Sequence, residues 1–296
     1  MPDNKDARNS PLTDDSSGRP FLKMHGLRNH FIVVDARETP YRPPAAAIVQ
    51  LCDPQAGIGA DQLVVIEPTG GRAAAFVRFW NVDGREVEAC GNATRCVAWL
   101  LLEELGANIV ILETRAGLLD CRRIAPLRVS TVMGRIRTGW RDIPLASERD
   151  TLHLDVEEGP LRDAVALNIG NPHIVFFVDD LDAVDLGTLA PPIQNNPLFP
   201  QQVNVGAAQM MAEDRMRLRV YERGAGLTMA CGSGACVAHF AALSRGLTDS
   251  RRMTVELPGG ELDIEVLADG SAVMTGPVAI SFSGRLPDAG VADTRS

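Results

Sequence analysis

The sequence predicts an α+β protein made of two halves that repeat one another. Three observations carry this. The 296-residue chain is 45% hydrophobic and 23% charged, the balance of a folded globular protein. Blocks of sequence recur in the same order in both halves. Each half joins many short strand signals to one long proline-free helix, a mixture that points to α+β layering rather than alternating βαβ units.

The repeat is clearest around two cysteines. At a constant offset of 141 residues, Arg78 meets Arg219, Trp80 meets Tyr221 and Asn81 meets Glu222, and Ala89-Cys90-Gly91 meets Ala230-Cys231-Gly232. Upstream, Gly59-Ala60-Asp61-Gln62 resembles Gly206-Ala207-Ala208-Gln209. Further upstream, the run Asn29 to Asp35 resembles Asn171 to Asp179. Three blocks in one order indicate duplication.

In chain order, the polar residues 1–20 read as a tail. Strands are expected at Phe31–Ala36, Leu63–Glu67 and Val77–Asn81, where β-branched and aromatic residues cluster. A turn at Asp83-Gly84 leads to a helix over Gly91–Leu105, stopped by Gly106. Strands at Val110–Thr114 and Arg128–Met133 complete a first domain, 21–134. The second domain, 135–276, repeats the order. It has strands at Val165–Asn168, Ile174–Val178 and Arg217–Glu222, a turn at Gly224 to Gly226, and a helix over Gly232–Ser244 stopped by Gly246. Strands at Met253–Leu257 and Leu262–Val266 follow. A final strand after Pro277, within 277–284, returns to the first half, and 285–296 read as a second tail.

The charge balance excludes several function classes. With a net charge of −9 and no basic block, the chain is a poor nucleic-acid or anionic-membrane binder. It has no apolar run of about 18 residues. The opening residues lack a secretory signal pattern, so a cytoplasmic protein is expected. The six cysteines are then expected as free thiols. The Cys90–Cys96 and Cys231–Cys236 spacings are not CxxC and the histidines show no HxxxH, so no metal site is expected. Cys52, Cys96, Cys121 and Cys236 read as buried small apolar residues, and His25 and His239 as structural. The glycine-rich stretches do not form the dinucleotide fingerprint.

Cys90 and Cys231 differ from the other four because each sits at a strand–turn–helix junction. A helix start offers unpaired N–H groups and a partial positive charge, which lower a thiol pKa and attract a carboxylate. The glycine after each cysteine lets a ligand approach the backbone. Two such junctions facing each other place one sulfur on either side of an α-carbon. A thiolate then takes a proton from one face while a thiol supplies one to the other. Asn81 and Glu222 hold equivalent positions but differ in charge, as an unsymmetrical ligand requires.

At these residues the chain resembles the diaminopimelate epimerase family, cofactor-independent enzymes that interconvert LL- and meso-2,6-diaminopimelate in bacterial lysine and cell-wall precursor synthesis. The motifs are Lys23 to Phe31, Gly57 to Gln62, Ala89 to Cys96, Gly170 to His173, Asn204 to Gly206, Tyr221 to Gly224 and Ala230 to Ala235. The resemblance implies two pseudo-symmetric domains, each a strand-rich barrel-like sheet around a central helix, with the site in the cleft between them. It implies Cys90 and Cys231 as acid/base thiols, with Gly91, Asn92, Gly232 and Ser233 holding the reacting carboxylate. Asn29, Gln62, Asn81, Asn171, Asn204 and Arg223 would hold the other polar groups of a small amino-acid substrate, Arg223 being suited to the distal carboxylate. His173 and Glu222 would tune the thiols or hold the reacting amine. No cofactor is implied, and a homodimer is left open.

The family's first motif usually reads Gly-Asn-Asp-Phe, whereas this chain has Arg28-Asn29-His30-Phe31, and Ala93 stands where Gly is common. The change replaces a negative charge beside Asn29 with a positive one. It keeps in view a racemase of the same fold acting on proline, hydroxyproline or another amino acid; a reading of another class is a non-catalytic amino-acid-binding or thiol-redox sensing protein.

Overall fold

The computed structural model describes residues 18–286. Most of both expected tails lies outside them. Arg19, Pro20, Arg285 and Leu286, read from sequence as tail, are instead strand residues in mutual register, Arg19 opposite Leu286 and Pro20 opposite Arg285.

The first half runs β1 (Arg19–Gly26), β2 (Asn29–Asp35), α1 (Ala45–Cys52), β3 (Gln62–Glu67), β4 (Ala75–Asn81), β5 (Glu86–Val87), α2 (Gly91–Leu105), β6 (Ile109–Thr114), β7 (Gly117–Ala125) and β8 (Arg128–Arg135). The second runs β9 (Val165–Asn168), β10 (Pro172–Phe177), α3 (Leu186–Gln194), β11 (Asn204–Ala212), β12 (Arg215–Glu222), β13 (Gly226–Leu227), α4 (Gly232–Ser244), β14 (Arg252–Leu257), β15 (Gly260–Val266) and β16 (Ser271–Pro277), before β17 (Ala279–Leu286). The architecture is α+β and duplicated. Parallel pairing of β2 with β3 is matched by β10 with β11, and parallel β4–β6 by β12–β14. Antiparallel pairing of β8 with β16 joins the halves, and β17 pairs with β1.

Each half wraps its strands around one long helix. Cys96, Val97, Leu101 and Leu102 of α2 pack with Phe31, Val33, Val64 and Ile66. Cys236, Val237, Ala238 and Ala241 of α4 pack with Val175, Ala208, Leu218 and Ile264. The opposite faces of the same strands carry the short helices. Ile32, Val34, Leu63 and Val65 meet Ile48 and Cys52 of α1, and Ile174, Phe176, Val205 and Ala207 meet Leu186, Ala190 and Ile193 of α3. Burial on both faces explains why these strands read as continuous apolar runs.

The two long helices span the expected residues, and Gly106 and Gly246 adopt left-handed φ of 60° and 64° after them. The register corrects one block of the repeat. Phe31 pairs with Gln62, and His173 with Asn204, so the counterpart of Gln62 is Asn204 rather than Gln209.

Candidate active site

The repeat brings equivalent residues to the same end of the equivalent strands in each half. Asn29 opens β2, Gln62 opens β3 and Asn81 closes β4; Asn171 precedes β10, Asn204 opens β11 and Glu222 closes β12. Cys90 and Cys231 are the N-cap residues of α2 and α4, with extended backbone.

The two helix starts face one another. Asn92 Nδ2 donates to the carbonyl of Ala230, the residue before Cys231, at 3.0 Å. A side chain added at Gly91 would lie 2.8 Å from Met274 Cε and 2.9 Å from Met133 Cε, and one at Gly232 would lie 2.5 Å from Met274 Sδ. Met133 on β8 and Met274 on β16 thus fill the space behind both glycines. A Cβ at either glycine would force these methionine side chains to move.

Around Cys90, the thiol points at Asn29 Oδ1 at 3.9 Å, and the same oxygen accepts from Asn92 Nδ2 at 3.2 Å. Asn29 Nδ2 donates to Asp61 Oδ2 at 3.0 Å, which also accepts from the His30 amide at 2.6 Å. Asn92 Oδ1 accepts from Arg95 Nη2 at 2.8 Å. Gln62 Nε2 donates to Asn81 Oδ1 at 2.8 Å, and Gln62 Oε1 is buried with no partner among the described residues.

Around Cys231, the sulfur accepts from the Gly234 amide at 3.4 Å and lies 3.5 Å from Ser233 Oγ. His173, 1% exposed, places Nε2 3.1 Å from both Asn171 Oδ1 and Ser233 Oγ. Asn204 donates to the Pro172 carbonyl at 3.1 Å and accepts from the Arg223 amide at 2.8 Å. Glu222 accepts from Thr228 Oγ1 at 2.5 Å and lies within hydrogen-bonding reach of the Cys231 thiol. The Arg223 guanidinium is exposed and donates to the Gln201 carbonyl at 2.9 Å.

The electrostatics reverse one expectation. Burial pushes the Cys90 thiol up to about 11, outweighing the amides of Ala93 and Asn92 that pull it down. Burial, then the Glu222 carboxylate, pushes Cys231 well above its usual value. At a half-buried Cys90 and a buried Cys231, desolvation together with the Glu222 carboxylate outweighs the pull of the helix-start amides. Burial likewise raises Glu222 and drives His173 down to about 3, so the imidazole is neutral. All six cysteines are free.

The comparisons with known proteins bear on this pair of junctions. The diaminopimelate epimerase family model matches residues 21–137 and again 165–281. A diaminopimelate epimerase of Phenylobacterium zucineum is 52% identical over 91% of this chain and 98% of its own length. One from Rhodospirillum centenum is 51% identical over 91% and 93%. The chain belongs to the diaminopimelate epimerase family. A hydroxyproline epimerase of Agrobacterium vitis, solved with trans-4-hydroxy-L-proline, shares the fold with a TM-score of 0.66, 16% identity and 90% coverage of each chain. A phenazine biosynthesis protein of the PhzF family from Bacillus anthracis does so at a TM-score of 0.64 and 13% identity, over 91% and 99% of the chains.

Of the residues that depart from the family's first motif, Arg28 lies in the β1–β2 turn and His30 in β2. Leu27 and Arg28 have φ of 56° and 62°, a left-handed pair in which a glycine would be unstrained. Arg28 is exposed, and burial lowers His30, whose ring lies 5.1 Å from that of His25. His30 therefore adds no charge near neutrality, and Asn29 keeps its place. Sequence reasoning passed over Asp61, Arg95, Met133, Met274 and Thr228. Asp61 and Arg95 lay inside the quoted motifs, and an arginine in an otherwise Ala/Leu/Val-rich helix was itself a signal.

Proposed function

We propose that this chain inverts one α-carbon of LL-2,6-diaminopimelate to give meso-diaminopimelate, a step in lysine and peptidoglycan precursor synthesis. The observation that carries the reading is the meeting of two Cys-Gly helix starts, one from each half, tied by the Asn92–Ala230 hydrogen bond. The strand pairing and the doubled family match support 21–134 and 135–276 as the two catalytic domains, with 277–284 returning to the first.

The substrate carboxylate at the reacting centre lies between the helix starts, on the amides of Gly91, Asn92, Gly232 and Ser233. One sulfur, as thiolate, removes the α-proton. The other, as thiol, delivers its proton to the opposite face. One S–H bond forms as the other breaks, so net charge is unchanged and the two sulfurs exchange roles. The helix starts stabilise the enolate-like charge that grows on the carboxylate. Asn29, Gln62, Asn81, Asn171 and Asn204 bind the amino groups and the remaining polar atoms, and Arg223 takes the distal carboxylate. Gln62 Oε1, buried and unpartnered, is ready to accept from an ammonium group. Neutral His173 orients Ser233 and Asn171, and Glu222 sets the proton affinity of Cys231 or receives the reacting amine.

The acidic net charge and the free thiols support a cytoplasmic enzyme with a small-molecule substrate and no nucleic-acid partner. No helix of the described residues is long and apolar enough to cross a membrane. A homodimer remains part of the proposal to be measured. The test is a panel of LL-diaminopimelate, L-proline and trans-4-hydroxy-L-proline, with products resolved by chiral chromatography. Formation of meso-diaminopimelate alone supports the assignment. Turnover of proline or hydroxyproline in its place moves the protein to the racemase reading, and no turnover of any of them overturns it.

A further inference from the structure

Arg95 is fully buried, its guanidinium pairs with no carboxylate among the described residues, and it lies one helical turn beyond Asn92 on α2. It touches Asn92 Oδ1 at 2.8 Å and Met274 Sδ at 3.1 Å, and Nε has no partner among the described residues. A buried cation without a countercharge is costly to keep, and an apolar side chain would fill the space as well. At the other side of Cys90, Asp61 binds Asn29, 32 residues away in sequence.

We infer that Arg95 and Asp61 are positioning residues: the charged ends of one hydrogen-bond chain, Arg95–Asn92–Asn29–Asp61, which fixes the Asn29 amide with its oxygen toward the Cys90 sulfur. This rests on the two-thiol reading of the site. The chemistry of the ends dictates the direction. A guanidinium only donates, so Asn92 must turn its oxygen to Arg95 and its NH₂ to Asn29. A carboxylate only accepts, so Asn29 must turn its NH₂ to Asp61. Both demands give the same result: Asn29 Oδ1 faces outward to Asn92 Nδ2 and the Cys90 thiol. That oxygen favours the protonated sulfur. A rotated amide would present NH₂ and favour the thiolate.

The other groups that act on the Cys90 thiol are the Glu222 carboxylate from the end of β12, the Arg95 charge and the amides of Asn92 and Ala93 on its own helix. None of them turns with the Asn29 amide. The chain thus separates one contribution, hydrogen bonding to Asn29, from the rest.

The test is iodoacetamide alkylation of Cys90 as a function of pH on the full-length protein, followed by peptide mass spectrometry. The proteins are wild type, Asp61→Asn, Asn29→Ala and the double variant. Asn at position 61 still accepts from the His30 amide with its oxygen and offers its own NH₂ to Asn29. The Asn29 amide is then held from one end alone and rotates part of the time. Cys90 alkylation should become about threefold to tenfold faster below its midpoint in Asp61→Asn. Asn29→Ala should abolish that increment, and Asp61→Glu should restore the wild-type profile. Arg95→Met would release Asn92 but also remove a positive charge that favours the Cys90 thiolate, two opposed effects, so the Asp61 and Asn29 cycle decides alone. An unchanged profile in Asp61→Asn, or the same increment with and without Asn29, overturns the chain. The readout needs no substrate, so an intact coupling in a protein that does not turn over diaminopimelate would sink the functional reading alone.

Discussion

His173 gives the sharpest stability prediction. It is 1% exposed, hydrogen-bonded to Asn171 and Ser233, and held neutral, with burial taking it from 6.5 down to about 3. The unfolded chain therefore binds a proton between those pH values that the folded protein refuses. Stability is complete above the unfolded value of 6.5 and drains away as pH falls toward the folded value of about 3. At about 1.4 kcal/mol per pH unit the whole span is worth about 5 kcal/mol, of which about 3 kcal/mol is lost by pH 4. His173→Gln keeps a donor near the Nε2 position and removes the titration. Urea unfolding of both proteins should be measured between pH 8 and pH 4. The wild type should lose about 3 kcal/mol more than the variant across that range. Carboxylates that protonate in the same window act on both proteins and cancel. Parallel curves, within about 0.5 kcal/mol, would refute the buried neutral ring.

Three further outcomes follow from the same geometry. With the Cys90 thiol pushed up to about 11, its alkylation at neutral pH should be about a hundredfold or more slower than that of free cysteine, and bound substrate should slow it further; fast neutral labelling would contradict the burial. Because burial raises both thiols, kcat/KM should climb from pH 7 toward pH 9 as the base ionises and turn over only when the second thiol ionises, the two midpoints belonging to the coupled pair; a fall across that range would contradict the assignment. A Cβ at Gly259 would lie 2.0 Å from the Leu27 carbonyl oxygen and 2.9 Å from that of Met229. Gly259→Ala should cost about 3 kcal/mol or more, read as a lowered urea midpoint, by forcing the β14–β15 turn away from the β1–β2 hairpin.

Much of this was legible because duplication writes the same local signals twice. Cys90-Gly91 and Cys231-Gly232 each follow a strand and a glycine turn and precede a proline-free run, which located α2 and α4 residue by residue. The short helices were not legible. α3 contains Pro191 and Pro192, which argue against a helix, yet Asp185 caps it by accepting from the Thr188 amide at 3.3 Å. β11, with Gly206, Ala207, Ala208 and Met210, has weak strand propensity, and its small side chains are selected by close packing between α3 and α4. At the site, residue types revealed the thiols, but their proton affinity depends on burial that no local pattern encodes. The roles of Asp61 and Arg95 were not legible in the same way: Asp61 acts through partners on β2, and Arg95 through the end of Asn92 that it holds.

The central claim is proton transfer between two sulfurs on opposite faces of one carbon, and isotope exchange tests it most directly. LL-diaminopimelate is incubated with the reduced protein in D₂O and followed by proton NMR through the first few per cent of reaction. The account predicts deuterium at the inverted α-carbon of meso-diaminopimelate while unreacted LL-substrate keeps its α-protons, with inversion lost in both Cys90→Ala and Cys231→Ala. Deuterium appearing in recovered substrate as fast as in product, or inversion that survives loss of either sulfur, would contradict it.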